Sequence, residues 1–299
     1  MGLSRASVSW LTEESQRRPF SGTLLTLGVQ NVDLSQAEFE RIAQQMGVAL
    51  GPVPQSDRKV LLDGTVSADH VFLRLGFERV VTTDADPFEG CDFIFDLNDP
   101  EVPEEHLGRY DMVLDAGTLE HVFHIPNALR NLLRFTRDSG RIVHHAPSSN
   151  HIDHGFWMFS PTLFWDYYTA NGVQLPRFDI FRYRQPSDKK ALWDFATYRP
   201  GSLDKKMFGG LGGGCFGLAI VAEKSAEIGE PVVPQQGLYS QAWAESASPG
   251  LSSNPAETKP LRQHLIDIRE RIYGYFPVEW RIRWKAATRR FPLKIRKRF

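Results

Sequence analysis

Three apolar segments of the sequence each end in an aspartate, and a carboxylate in that position can bind a ligand. The segments are 79–84 (RVVTTD), 92–96 (DFIFD) and 111–115 (DMVLD). In a doubly wound α/β sheet, ligands bind at the carboxyl ends of the strands, near the point where the strand order reverses. A carboxylate there can accept hydrogen bonds from both hydroxyls of a ribose. Aspartate also ends strands for local reasons, but three such strands favour a nucleoside site.

Histidines form the second group of residues that could carry chemistry. Six of the nine histidines fall within a short stretch, and they are His121, His124, His144, His145, His151 and His154. Three of them, or two with a carboxylate, would suffice to bind zinc or iron. A histidine with a pKa near neutrality could instead accept a proton from a substrate. His144 and His145 should point to opposite faces of one strand, which opposes a single shared site. We expect no metal and name His145 and His154 as candidate bases.

The elements that must position these residues alternate between strands and helices. The capping-box pair Ser35 and Glu38 predicts a helix start. Strands are predicted at 23–28, 58–63, 79–84, 92–96, 111–115, 140–145, 178–183 and 216–222, and helices at 35–46, 68–75, 126–136 and 160–170. This alternation predicts an α/β fold, with a doubly wound, mostly parallel sheet and helices on both faces.

The stretch from Gly76 to Phe164 resembles class I S-adenosylmethionine-dependent methyltransferases, which have a Rossmann-like fold. The family's second strand is similar to the segment GFERVVTTDAD, and its third strand is similar to DFIFDLNDP. Its fourth strand, LEH turn, helix and fifth strand are similar to the segment YDMVLDAGTLEHVFHIPNALRNLLRFTRDSGRIVHHAPSSN. The resemblance implies S-adenosylmethionine as cofactor, Asp84 on the ribose, and Asp96 and Leu97 at the adenine. It places Gly28 and the segment Asp115, Ala116 and Gly117 beside the methionine end, where Gln30 or Asn31 could add side-chain hydrogen bonds.

The loop after the first strand departs from the family pattern. Where the family has several glycines, this sequence reads LGVQNVD, with Gly28 as its one glycine. The resemblance implies a methyltransferase, and we expect it to act on a small-molecule or glycan-type acceptor with His145 or His154 as the base. The altered loop supports an alternative, a catalytically degenerate binding or scaffold protein. A histidine-based, metal-dependent hydrolase is a third reading, and a nicotinamide dinucleotide is disfavoured because Gly-x-Gly-x-x-Gly is absent.

The segment 148–159 (SSNHIDHGFWMF) is the candidate wall of an acceptor site. It follows a predicted strand end and combines polar groups with aromatic residues, as binding loops do. At least one of Phe156, Trp157 and Phe159 is expected to pack over the edge of the sheet instead.

Composition and charge set the wider organisation. The 299 residues are 41% hydrophobic and 24% charged, which excludes a mostly disordered or fibrous chain. Two cysteines exclude a disulfide framework. No apolar run reaches the ~18 residues of a membrane span, and no secretory signal is visible, so we expect a cytoplasmic protein. The predicted domains are 1–224 (Rossmann-like), 225–260 (flexible linker, rich in Pro, Ser, Ala, Gln and Glu) and 261–299 (helix and basic tail).

The C-terminal tail concentrates positive charge. Residues 277–299 contain nine Lys or Arg against one acid, interleaved with Trp and Phe. Residues 278–299 are therefore a candidate for peripheral contact with an anionic membrane at its inner face. The alternative is a tail packed on the acidic body. Nucleic acid is not an expected partner, because no basic surface elsewhere would continue the contact; the sequence leaves the oligomeric state open.

Overall fold

The computed structural model describes residues 2–54, 64–183, 192–203, 210–225, 228–237 and 295–299. The chain divides into two units. The first comprises Met1–Ser202, Gly214–Pro234 and Leu293–Phe299, and it holds nearly all the described residues. The second comprises Leu203–Gly213 and Gln235–Pro292. The strand predicted at 58–63 and most of the segments predicted as linker and C-terminal extension lie outside the described residues.

Strands and helices alternate through most of the first unit. In chain order the described elements are β1 (Gly2–Leu3), α1 (Arg5–Arg17), β2 (Thr23–Leu27), β3 (Asn31–Val32), α2 (Gln36–Met46), α3 (Ala68–Arg74), β4 (Arg79–Asp84), β5 (Phe93–Ile94), β6 (Tyr110–Ala116), α4 (Ile125–Phe135), β7 (Thr136–Ser149), α5 (Pro161–Ala170), β8 (Gln174–Tyr183), β9 (Asp194–Thr197), β10 (Cys215–Glu223) and β11 (Lys297–Arg298).

The described strands other than β1 and β3 form one sheet in the order β11-β9-β8-β10-β7-β6-β2-β4-β5. The five strands from β7 to β5 are parallel, whereas β10 runs antiparallel to both β7 and β8. The chain moves outward from β2 to β4 and β5, then returns to β6 on the other side of β2. Strand order therefore reverses between β2 and β6, which confirms the predicted doubly wound, mostly parallel α/β sheet.

Helices cover both faces of this sheet. The helices α1, α2 and α3 bury Trp10, Phe39 and Phe72 in one core with side chains from alternate strand positions such as Leu24 and Leu114. The intervening strand residues face the other way, because side chains alternate along a strand. There α4 packs against β6 and β7. This arrangement leaves the carboxyl ends of β2, β4 and β6 as the accessible edge.

The end of the chain belongs to the first unit and forms ion pairs within it. Arg296 lies 3.2 Å from Glu13 and 3.0 Å from Asp179, Lys297 lies 3.0 Å from Glu13, and Arg298 pairs with Asp194. Burial would raise the pKa of Glu13, but hydrogen bonds from Arg296 and Lys297 and the nearby charge of Arg177 lower it to about 2.

Three of the tail's cations thus pair with acids of the body, while residues 278–294 lie outside the described part of the chain. Within the described part, no helix is both long and apolar enough to cross a membrane.

Candidate functional site

A cavity of about 190 Å³ lies at the carboxyl ends of β2 and β4, beside the point between β2 and β6 where the strand order reverses. Its walls come from the ends of these strands, the segment after β5 and the turn after β6. The lining residues are Leu27, Gly28, Thr83, Asp84, Ala85, Phe95, Asp96, Leu97, Asn98, Thr118, His121 and Val122. Four predicted cofactor residues, Gly28, Asp84, Asp96 and Leu97, are therefore brought together on one cavity.

The floor of the cavity is the turn that follows β2. Gly28 adopts a φ of 76°, a left-handed conformation that glycine adopts without steric cost. Its N–H donates to the carbonyl of Thr83 at 2.7 Å, and the Thr118 hydroxyl donates to the carbonyl of Leu27 at 2.7 Å. The turn leads into β3 rather than directly into a helix. Gly28 itself is buried, and its carbonyl accepts a hydrogen bond from the Thr26 hydroxyl at 3.0 Å, so its role is to form the turn that lines the cavity.

Asp84 occupies the end of β4 and is half-buried. One of its carboxylate oxygens, Oδ1, accepts a hydrogen bond from the N–H of Ala85 at 2.7 Å. Among the described residues, no other hydrogen bond or ion pair involves this carboxylate. Its second oxygen is therefore available to a ligand in the cavity.

The segment after β5 supplies an apolar wall. Phe95 and Leu97 are buried. Asp96 is exposed, and its Oδ1 accepts hydrogen bonds from both the backbone and the side-chain nitrogen of Asn98, each at 2.8 Å. Asn131 of α4 donates to the Asp99 carbonyl at 2.8 Å and holds the segment against the helix. Asp96 thus stabilises its own turn while it borders the cavity.

Of the residues predicted at the methionine end, Gly28 lines this cavity, whereas Gln30, Asp115, Ala116 and Gly117 do not. Gln30 is buried and turns back to donate to the carbonyl of Leu27 at 2.9 Å. Asp115 is fully buried: its Oδ1 accepts from the N–H groups of Thr118 and Leu119, and its Oδ2 lies 2.8 Å from His144 Nδ1. Ala116 is buried, and Gly117 allows the left-handed turn after β6, with a φ of 90°.

His144 and His145 lie on opposite faces of the sheet. The ring of His144 bridges Asp115 and the hydroxyl of Tyr168 in α5. His145 packs edge-on against Trp10 of α1 and is only 8% exposed. Burial and the charge of Arg177 lower the pKa of His145 to about 3. His145 therefore lies in the core and does not reach the cavity, whereas the sequence predicts it as a base.

His154 lies beside the turn that carries Glu120 and His121. Its Nε2 is 3.5 Å from Glu120 Oε1, and its ring centroid is 5.3 Å from that of His121, which lines the cavity. Burial and the charge of Asp115 raise the pKa of Glu120 to about 8. Burial and the charge of His154 lower the pKa of His121. This is a cluster of titratable groups at the edge of the cavity.

Backbone hydrogen bonds attach the loop of His154 to this turn. The N–H groups of Phe156 and Trp157 both donate to the carbonyl of Glu120, at 2.7 and 3.2 Å. The indole N–H of Trp157 donates to the Val122 carbonyl at 2.9 Å. A Cβ on Gly155 would lie 2.7 Å from the Glu120 carbonyl oxygen, so this close approach requires glycine.

The loop also presents aromatic surface. Phe123 and Phe156 are 68% and 66% exposed and meet edge to face, with ring centroids 5.6 Å apart. Ile152 and Met158 are exposed too, whereas Phe159 is buried. The predicted acceptor wall is therefore divided into an exposed apolar part and one aromatic residue that packs in the core.

A larger hollow, of about 390 Å³, lies at the end of α5 and is bounded by residues such as Asn171 and Glu230. The Glu230 carboxylate pairs with Arg130 at 3.3 Å and Arg134 at 2.8 Å. The Asn171 amide bonds the backbone of Val232. Its charged lining group is thus paired, so we place the candidate site at the strand ends.

Sequence reasoning did not assign eight of the twelve wall residues to the cofactor site: Leu27, Thr83, Ala85, Phe95, Asn98, Thr118, His121 and Val122. The last four of these lie beyond the end of a strand that the sequence predicts. The turn after a strand is therefore a signal that could have found those four. Glu120 was also missed, because its approach to His154 depends on the path of a loop.

Comparison with known proteins finds no matching family model and no matching curated protein. Solved structures are similar to the chain at low identity. One is an S-adenosylmethionine-dependent methyltransferase of Thermotoga maritima, a possible histamine N-methyltransferase: it is 13% identical over 74% of this chain and 91% of that one, with a TM-score of 0.35. Another is the 1,6-didemethyltoxoflavin-N1-methyltransferase of Burkholderia thailandensis with bound S-adenosylhomocysteine: it is 11% identical over 74% of this chain and 79% of that one, with a TM-score of 0.36.

Proposed function

We propose that the chain binds S-adenosylmethionine at the strand-end cavity and methylates a small-molecule or glycan-type acceptor. The observation that carries the proposal is the position of Asp84. This acid, which the sequence predicts on a ribose, ends the strand next to β2 on the cavity beside the switch point, and it retains one carboxylate oxygen without a partner among the described residues. Ligands of such sheets bind at this point.

The residues around Asp84 suit a nucleoside. A carboxylate oxygen can accept a hydrogen bond from a ribose hydroxyl. Phe95 and Leu97 offer apolar surface to a base, and the side-chain-free Gly28 leaves room for a ligand at the turn after β2. S-adenosylmethionine, when bound, supplies a methyl group that is activated by a sulfonium. This chain's residues would then position the donor and exclude water from one side of it.

The acceptor would lie where the cavity meets the loop 150–159. The exposed rings of Phe123 and Phe156 provide an apolar surface there. A hydroxyl acceptor must also lose a proton, and the cluster of Glu120, His121 and His154 is the titratable group next to the cavity. His154, rather than the buried His145, is the predicted base that remains in reach of this region.

Calorimetric titration with S-adenosylmethionine and S-adenosylhomocysteine tests the proposal. We expect micromolar binding of both ligands. Asp84→Ala should weaken binding by about 1.5–3 kcal/mol, the range for a hydrogen bond to a charged group. Glu104→Ala removes an exposed acid that does not line the cavity and should leave affinity unchanged.

Absence of binding at millimolar ligand would reject the proposal and favour a binding or scaffold role. Unchanged affinity in a folded Asp84→Ala protein would remove Asp84 from the ribose position.

A further inference from the structure

We infer that Glu120, His121 and His154 form a binding site for a divalent transition-metal ion. One ligand atom from each side chain, a carboxylate oxygen or a ring nitrogen, lies within 4.8 Å of the other two. The sequence predicts no metal, because it places adjacent His144 and His145 on opposite faces. The cluster uses neither of these, and it joins two neighbouring residues to a third that is 33 positions further along.

The buried carboxylate of Glu120 is the second observation that supports a cation site. Glu120 is 2% exposed, and its Oε1 lies 3.5 Å from His154 Nε2. Its Oε2 is buried without a hydrogen-bond partner in the described part of the chain. A buried carboxylate with an oxygen that has no donor is costly. A cation between the three side chains would pair with this carboxylate, whose Oε1 is the oxygen 3.5 Å from His154.

Hydrogen bonds hold the backbone that carries these side chains in place before any metal binds. On one side, Asp115 accepts hydrogen bonds from the N–H groups of Thr118 and Leu119 and so fixes the turn before Glu120. On the other side, two N–H groups of the His154 loop donate to the Glu120 carbonyl. Ligands that are already held in their bound geometry lose less entropy on binding.

The donor set selects the type of metal. Two imidazole nitrogens and one carboxylate oxygen are typical of zinc or ferrous iron, whereas Mg²⁺ and Ca²⁺ prefer oxygen ligands. Three protein ligands also leave at least one coordination position open, as in catalytic zinc sites.

The position of the metal site beside the cavity suggests a role in activating the acceptor, and this role rests on the proposed function. His121 belongs both to the cluster and to the cavity wall. A metal ion there would be able to bind a hydroxyl oxygen of the acceptor and lower its pKa, so that the proton is lost to solvent. His154 would then act as a ligand rather than as the base.

Cobalt titration of tag-free protein, first treated with a chelator and then dialysed, tests the site. We expect one equivalent of Co²⁺ to produce the visible absorption of a histidine-containing site, and one equivalent of Zn²⁺ to abolish it. The absorption should be lost in Glu120→Gln and in His154→Ala. It should persist in His124→Ala, which removes a neighbouring histidine outside the cluster.

The His154 side chain is about half exposed, so His154→Ala is expected to fold, and circular dichroism checks this. Absence of the cobalt spectrum in the wild-type protein, or an unchanged spectrum in folded His154→Ala, would overturn the inference. S-adenosylhomocysteine titration of the same metal-free sample separates the two proposals. Binding of that ligand without any metal site would leave the proposed function standing and reject this inference alone.

Discussion

Asp115→Ala should destabilise the protein strongly, because the carboxylate holds three donors in a dry interior. Its Oδ1 accepts from the N–H groups of Thr118 and Leu119 at 3.1 and 3.2 Å, and its Oδ2 lies 2.8 Å from His144 Nδ1. Asp115 and His144 have no exposed side-chain surface. Each buried donor left without a partner costs about 1–3 kcal/mol, and breaking a buried pair costs about 3–5 kcal/mol in all. We therefore expect a loss of about 3–5 kcal/mol.

Asp115→Asn is the matched control, since it keeps the oxygen that accepts from the turn. His144 can then present an unprotonated Nδ1 to the new amide, at the cost of rearranging its contact with the Tyr168 hydroxyl. We expect this variant to lose about 1–2 kcal/mol. Urea unfolding followed by far-ultraviolet circular dichroism gives both values from the midpoint and slope. If Asp115→Ala lowered the free energy of unfolding by less than about 1 kcal/mol, the conclusion that Asp115 stabilises the turn after β6 would be wrong.

Three further predictions concern stability. Ionised Glu13 stabilises the folded protein at pH values above its ordinary pKa of 4.5, and this stabilisation is lost as the pH falls toward its folded pKa of about 2. The difference in unfolding free energy between the wild type and Glu13→Gln, measured by urea unfolding, should therefore shrink as the pH is lowered over that range. Trp10→Phe removes a 3.0 Å hydrogen bond to the Asp179 carboxylate and should lower the free energy of unfolding by about 1.5–3 kcal/mol in the same assay. Gly155→Ala forces a methyl group against the carbonyl beside the loop and should cost about 1–3 kcal/mol in thermal or urea unfolding, whereas Gly229→Ala, with open space around it, should be neutral.

Elements with strong local signals are predictable from the sequence. The capping box of Ser35 and Glu38 is present with both reciprocal hydrogen bonds, and α2 begins at Gln36 as expected. The strand predicted at 92–96 is shorter in the structure than in the prediction, because only Phe93–Ile94 pair with β4. Asp92 instead binds the backbone and hydroxyl of Thr82. Local hydrogen bonds of this kind compete with strand pairing.

The helix α1 carries little sequence signal. Its residues, RASVSWLTEESQR, include only three large apolar side chains. The Ser9 and Thr12 hydroxyls donate to backbone carbonyls one turn earlier, so polar residues can occupy buried positions. The short strands β9 and β11 pair with each other near the sheet's edge, a tertiary contact that no local pattern specifies.

Some residues of the candidate site are predictable from the sequence and others are not. Gly28 and Asp84 meet because parallel strands end at one edge of the sheet, which topology predicts. The sequence cannot distinguish an aspartate that faces a ligand from one that faces the interior, and Asp115 is of the second kind. The approach of His154 to Glu120 depends on two backbone hydrogen bonds between loops, which residue types do not specify.

The most direct test of the cofactor assignment is a binding cycle on the ribose contact. Calorimetry would compare S-adenosylhomocysteine with its 2′-deoxy analogue, in the wild-type protein and in Asp84→Ala. We predict that the wild type binds S-adenosylhomocysteine about 1.5–3 kcal/mol more tightly than the 2′-deoxy analogue, and that Asp84→Ala binds both ligands equally. The reason is that the acid and the hydroxyl contribute one shared interaction. Equal binding of both ligands by the wild type, or undiminished discrimination by Asp84→Ala, would contradict the account.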